Sequence, residues 1–267
     1  MEAYKVVAAM ATLPIREPIL KESVSSLLPQ VDRLFVYLNQ YETIPQVLQH
    51  PKISVAFSRD YGDRGTVGKF WWVGKVETDY YFTVDDDLCY PDDYVERLCS
   101  AIDREDGPVV VGVHGIRFLE PVDSYFRDRK VWYFGENLNS PTHVHALGTG
   151  TCAFRPNQFD IRVDDFDTNF MADIWLAVAA KKRTVPMLCV ERQRGWLKEI
   201  SRVPGVSLYQ RYRQDDTAHT DLINQHAPWP SFGQGWFFVA KLQQKFEGVW
   251  AWGRRLKQTI LRAVSKG

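Results

Sequence analysis

Apolar and polar positions follow two rhythms along this chain. Short runs rich in β-branched and aromatic residues, at 6–11, 34–38, 53–57, 80–84, 109–113 and 185–190, read as buried strands. Between them apolar residues recur every three or four positions. Ile19, Leu20, Val24, Leu27 and Leu28 predict a helix over 17–28, Phe70 and Val73 one over 66–76, and Ile174, Ala177 and Val178 one over 170–181. Helical spacing also resumes at Tyr94, Val95 and Leu98, and 46–49 reads as a short helical piece. Alternation of strand and helix with short connections predicts an α/β fold, a doubly wound and mostly parallel sheet with right-handed crossovers. The segment 58–65 is a polar, glycine-rich loop, 120–139 follows neither rhythm, and 144–154 has strand character interrupted by Gly148 and Gly150. The basic, aromatic stretch 192–212 reads as a flexible loop.

The end of the chain has a different pattern. From Trp236 to Val264 apolar residues return at helical spacing, and Lys241, Lys245, Arg254, Arg255, Arg262 and Lys266 occupy the opposite face. We read 1–235 as one α/β domain and 236–267 as a basic amphipathic helix. Such a helix either packs on a domain with its charges in water or lies on an anionic membrane surface.

With 267 residues and 45% hydrophobic content, the chain can bury a large core. Lys+Arg and Asp+Glu both number 33, a balance that offers nucleic acid no basic footprint. The nine tryptophans suit a protein that handles sugar rings. Cys89, Cys99, Cys152 and Cys189 form no CxxC pair and read as reduced cytoplasmic thiols. Neither a signal peptide nor an apolar run of membrane-spanning length is expected.

The chemistry concentrates in 78–93, TDYYFTVDDDLCYPDD, where an apolar strand ends in Asp85, Asp86 and Asp87. Clustered like charges raise one another's pKa unless a cation lies among them. In open α/β sheets ligands bind at the carboxyl ends of strands. The triplet therefore reads as a site for Mn²⁺ or Mg²⁺, which take oxygen ligands, against the plainer reading of a solvated turn capping the next helix.

These features together resemble the GT-A glycosyltransferases, in particular the inverting family 2 enzymes of bacterial polysaccharide synthesis. The resemblance rests on Ala11-Thr12-Leu13-Pro14-Ile15-Arg16, the glycine-rich loop, Asp85-Asp86-Asp87 as a DxD motif, Gly148-Thr149-Gly150, and Met171-Ala172-Asp173-Ile174-Trp175, and spans about residues 4–200. It implies a Rossmann-like GT-A sheet, a nucleotide-diphosphate sugar donor (a UDP-sugar first), and a glycan or lipid-linked saccharide acceptor. The setting it implies is the cytoplasm or the inner face of the cell membrane.

Carried onto this sequence, Asp87 becomes the main metal ligand, while Asp85 contacts the ribose or the metal through water. Asp173 becomes the general base, in competition with Asp164, Asp165 and Asp167. The family usually has two adjacent carboxylates at the base, whereas this chain has Ala172-Asp173. Thr12, Arg16, Asn39, Asp60, Asp63 and Lys69 fall where the nucleotide binds, together with Asp86. Gly148, Thr149 and Gly150 allow close backbone approach to the ligand.

Arg192, Arg194 or Lys198 is expected to close over the diphosphate, or else to stand in a solvated loop. His219 is the expected third metal ligand, with His143 and His145 as rivals. Trp175 and Trp196 either stack on sugar or pack in the core. The leading expectation is a metal-dependent inverting transferase. A sugar-phosphate nucleotidyltransferase and a non-catalytic carbohydrate-binding protein are the alternatives.

Overall fold

The structure is a computed structural model that describes residues 3–200 and 213–232. The chain divides into two units, Met1–Trp229 and Pro230–Gly267. The helix expected over 236–267 and the loop residues 201–212 lie outside the described residues.

The first unit is built on strands β1 (Ala3–Thr12), β2 (Arg33–Leu38), β3 (Ile53–Phe57), β4 (Glu77–Val84), β5 (Leu88–Cys89), β6 (Val110–Gly112), β7 (Gly115–Phe118), β8 (Arg129–Trp132), β9 (Thr142–Val144), β10 (Ala146–Leu147), β11 (Thr151–Phe154), β12 (Met187–Cys189) and β13 (Lys198–Glu199). Eight of them form one sheet in the order β3-β2-β1-β4-β11-β6-β12-β9. Neighbours are parallel except where β11 meets β4 and β6 and where β9 meets β12. This is the Rossmann-like, mostly parallel α/β sheet that the alternation of elements predicts. Smaller sheets join β10-β7-β8 and β13-β5.

Both faces of the large sheet are covered, because successive side chains on a strand point to opposite faces. Val7 and Ala9 of β1 enter one core with Phe35, Tyr37, Tyr81 and Phe154, beneath helix α4 (Ala172–Lys182). Val6, Ala8 and Met10 enter the other, with Leu20, Val24 and Leu27 of α1 (Glu17–Leu27) and Leu98 and Ile102 of α3 (Tyr94–Asp103). A single turn of helix, α2 (Ser58–Tyr61), opens the glycine-rich loop.

The helix expected over 66–76 is instead a 3₁₀ helix, Gly65–Phe70, followed by turns. Gly65, which opens it, and Gly74, in the turns beyond it, both have positive φ, which regular α-helix does not allow. Gly68 lies so close to the Tyr37 ring that a β-carbon there would come within 2.8 Å of it. The unassigned 120–139 contributes β8, and the glycine-interrupted 144–154 resolves into β10 and β11 around a turn at 148–150.

Candidate active site

Four pieces of chain meet at one edge of the sheet. Thr12 ends β1, and Asp85–Asp87 follow β4, which is paired in parallel with β1 through Met10↔Val84. Because β11 runs antiparallel to β4, with Thr151 opposite Val84, the turn 148–150 that precedes it comes to the same edge. Met171 adopts a left-handed conformation, φ 59, so α4 begins at Ala172 and Asp173 falls in its first turn. The helix dipole there favours a carboxylate.

Hydrogen bonds and ion pairs lock these pieces together. The Thr12 hydroxyl donates to Asp86 Oδ2 at 2.6 Å. Lys69, only 2% exposed, places its Nζ on Asp85 Oδ1. Arg16 approaches Asp87 Oδ2 at 3.5 Å. The Thr149 backbone N–H and hydroxyl both donate to Asp173 Oδ1, each at 2.7 Å. Gly150 lets the Asp85 carboxylate lie against the backbone, because a β-carbon at that position would lie 1.9 Å from Asp85 Oδ2 and the carboxylate would have to shift.

The electrostatics follow from crowding acidic groups out of water. Burial first, and Asp85 beside it, push Asp86 up to about 6 against the Thr12 hydrogen bond. Burial, then Asp85 and Asp86, push Asp87 up to about 7, with Arg16 opposing. Burial also raises Asp173, against the two Thr149 hydrogen bonds, and Asp85 adds to the rise. Burial is the largest influence on Lys69 and lowers it, but Asp85, Asp173 and Asp86 together outweigh burial and the net shift is upward.

Asp85 and Asp87 offer the oxygen donors that Mg²⁺ and Mn²⁺ prefer, and the raised pKa of Asp87 marks negative charge that a divalent cation would relieve. The donor chemistry of these two carboxylates suits such an ion, which would need further oxygen ligands from outside the protein. Among the described residues no group of three His, Cys, Asp or Glu side chains is arranged to hold a metal.

The structure thus gathers Thr12, Arg16, Lys69, Asp85, Asp86, Asp87, Gly148, Thr149, Gly150 and Asp173. Asn39 and Asp63 organise the neighbouring loop. Asn39 Nδ2 donates to the Gly65 carbonyl at 3.0 Å and its Oδ1 accepts the Arg64 N–H at 3.1 Å. Asp63 accepts from the Gly65 N–H at 2.9 Å and from Gln40 at 3.1 Å.

Other expected residues are engaged elsewhere. Arg192 is 3% exposed and does not form a lid. Its guanidinium donates to the carbonyls of Trp132, Tyr133, Phe134 and Val190, because a buried cation needs acceptors on every side. Arg194 is exposed, 3.7 Å from Glu136. Asp60 is exposed beside Arg59. His219 lies on the helix Thr217–Gln225, stacked 5.0 Å from the Tyr125 ring and close to Phe126, and burial lowers its pKa to about 4. The residue expected as a third metal ligand is, in this structure, packed among aromatic rings.

His145 accepts the Phe118 N–H at 2.9 Å, and Lys198 pairs in β13 with β5. Trp175 is buried and donates to Thr168, while Trp196 donates to Asp93 at 2.7 Å under the Arg97 guanidinium. Packing within the protein is therefore what both tryptophans do.

Two residues buried behind the site, without lining it, carried no signal in the sequence. Tyr90 and Ser23 both hold the backbone of Asp85, from β5's exit and from α1 respectively. One tyrosine among twelve and a serine in an amphipathic helix look ordinary until the fold brings them together.

No family model matches the chain, and no curated protein matches it. Among solved structures, S. aureus TarS (residues 1–349) superposes with a TM-score of 0.46 at 12% identity, over 71% of this chain and 59% of that one. The inositol-1-phosphate CTP transferase of T. maritima gives a TM-score of 0.47 at 12% identity, over 84% of this chain and 97% of that one. A mycobacterial protein gives 0.50 at 14% identity, over 84% of this chain and 76% of that one. At such identities likeness is one of fold, and it is the α/β, Rossmann-like fold of the mycobacterial protein that this chain shares.

Proposed function

We propose that this chain is a GT-A-type glycosyltransferase, moving a sugar from a nucleotide-diphosphate donor to a hydroxyl of a glycan or lipid-linked saccharide with inversion. The observation that carries the reading is the convergence of Asp85, Asp86 and Asp87 with Lys69, Arg16 and Asp173 at the carboxyl edge of β1 and β4. Four carboxylates facing two cations leave the edge short of positive charge. A divalent ion bound with the donor would supply it and would stabilise negative charge on the departing diphosphate.

The side chains divide the remaining work. Arg16 and Lys69 add positive charge where the leaving group departs. Both hydrogen bonds from Thr149 fall on Asp173 Oδ1, so Oδ2 is the oxygen that takes the proton of the attacking hydroxyl. Its raised pKa brings it nearer to the working pH of a general base. The acceptor oxygen forms a bond to the anomeric carbon as the bond to the donor phosphate breaks, and its proton passes to Asp173. One displacement inverts the anomeric centre.

The test is turnover of a panel of UDP-, GDP-, CMP- and dTDP-sugars with and without Mn²⁺, for the wild type, Asp87→Ala and Asp173→Asn. We expect Mn²⁺-dependent nucleotide release that Asp87→Ala removes. Asp173→Asn should lower kcat by about 10²–10⁴-fold and leave the thermal shift produced by the nucleotide intact. Synthesis of a nucleotide sugar from a sugar phosphate would replace this reading with a nucleotidyltransferase. Binding without turnover across the panel would leave only a binding protein.

A further inference from the structure

The last pair of the β4–β11 ladder is Val84 with Thr151. One step further Asp85 stands opposite Gly150, and there a side chain comes between the strands. The Asp85 N–H donates to the Tyr90 hydroxyl at 2.7 Å, and that hydroxyl donates to the Gly150 carbonyl, also at 2.7 Å. The Tyr90 ring is 2% exposed and packs 4.8 Å from Tyr94, while its backbone N–H is held by Ser26 of α1 at 3.1 Å. The hydroxyl thus replaces a direct backbone contact with a two-bond bridge.

What lies on either side of the bridge gives it meaning. On the β4 side the Asp85 carboxylate reaches Lys69. On the β11 side Gly150 follows Thr149, which holds Asp173 through its N–H and hydroxyl. The Asp85 carboxylate lies against the Cα of Gly150 with no room for a β-carbon between them. Asp85 and, through Thr149, Asp173 are thus tied to the two strand ends that the Tyr90 hydroxyl joins.

We propose that Tyr90 is a positioning residue whose hydroxyl, wedged between β4 and β11, fixes the distance between the donor-side carboxylate Asp85 and the base Asp173. The proposal rests on the transferase reading, in which these two carboxylates serve opposite reactants. Misplacement of a reacting group by about 1 Å costs about 10²-fold in rate, and removal of one hydroxyl lets the strand ends shift on that scale.

The experiment combines steady-state kinetics and crystal structures of the wild type, Tyr90→Phe and Ser23→Ala, with the best donor of the panel. Tyr90→Phe should lower kcat by about 10–100-fold while the donor KM stays within about threefold, since donor contacts on β1 and β4 remain. Ser23 also bonds the Asp85 carbonyl, at 2.9 Å, but does not reach Gly150. Ser23→Ala should therefore keep kcat within about threefold. Equal kcat losses in the two variants, or a kcat for Tyr90→Phe near that of the wild type, overturn the proposal.

If Tyr90→Phe does not fold, Tyr90 is replaced by 4-aminophenylalanine, whose amine can bridge the same two atoms. Retained kcat then supports the proposal, and a folded but slow protein overturns it. If the wild type itself turns over no donor, the transferase reading fails, and the wedge is judged on the crystal structures alone. A changed gap between Asp85 N and Gly150 O in Tyr90→Phe supports it, and an unchanged gap overturns it.

Discussion

Gly150→Ala isolates the close approach at the centre of the site. The backbone at Gly150 is not in the left-handed region, so alanine meets no conformational penalty and the effect is steric. Its β-carbon would lie 1.9 Å from Asp85 Oδ2 and 2.3 Å from Asp85 Cγ, where real contacts stay above 3.0 Å. The carboxylate must therefore retreat by about 1 Å or more, which draws it off Lys69. Displacement on that scale costs about 10²-fold in rate, or about 2.7 kcal/mol of transition-state stabilisation. Overpacking adds about 1–3 kcal/mol of lost stability, a fall in Tm of about 2–12 °C for a domain of this size.

The assay is kcat/KM for Mn²⁺-dependent nucleotide release, read beside a thermal melt. Gly148→Ala is the control, because its nearest contact, His114 Cβ at 3.1 Å, asks the neighbour to give only slightly. It should stay within about threefold of the wild type. In an Asp85→Ala background, Gly150→Ala should cost little more, since the clashing oxygens are gone and residues in contact are not additive. Full activity in Gly150→Ala, or full additivity in the double variant, would refute the reasoning.

Other outcomes follow from the same geometry. Asp86 and Asp87 titrate at about 6 and about 7, above their ordinary 3.8, so between those values the native state binds more protons than the unfolded chain. Their contribution to stability therefore falls as pH rises from about 4 to about 7. The Tm of the metal-free protein should drop across that window, Mn²⁺ should restore more of it at pH 8 than at pH 5, and Asp87→Asn should flatten the slope. Arg192→Met strips the donors from buried carbonyls and should cost about 3 kcal/mol in urea denaturation, while donor KM in the folded fraction holds. Unchanged stability with lost donor binding would instead place Arg192 on the diphosphate. His219→Gln should leave the Mn²⁺ dependence within about twofold of the wild type, and a tenfold weaker Mn²⁺ response would return His219 to the metal.

The sequence by itself determined the main core strands, the helices over 17–28 and 170–181, and the strand end where carboxylates cluster. Strand positions were legible because burial on both faces demands unbroken β-branched and aromatic runs, as in 34–38 and 80–84. The acidic triplet was legible because charge at the end of such a run is anomalous in any fold. Tertiary structure alone decided partnership. Arg192 reads as a free cation along the chain, yet it is surrounded by carbonyls from residues about sixty positions earlier. His219 reads as a ligand and stacks on Tyr125, while Tyr90 reads as nothing and bridges two strand ends. Local patterns record how each residue prefers to meet water, but which groups satisfy a buried polar atom depends on contacts between distant segments that only the closed sheet brings together.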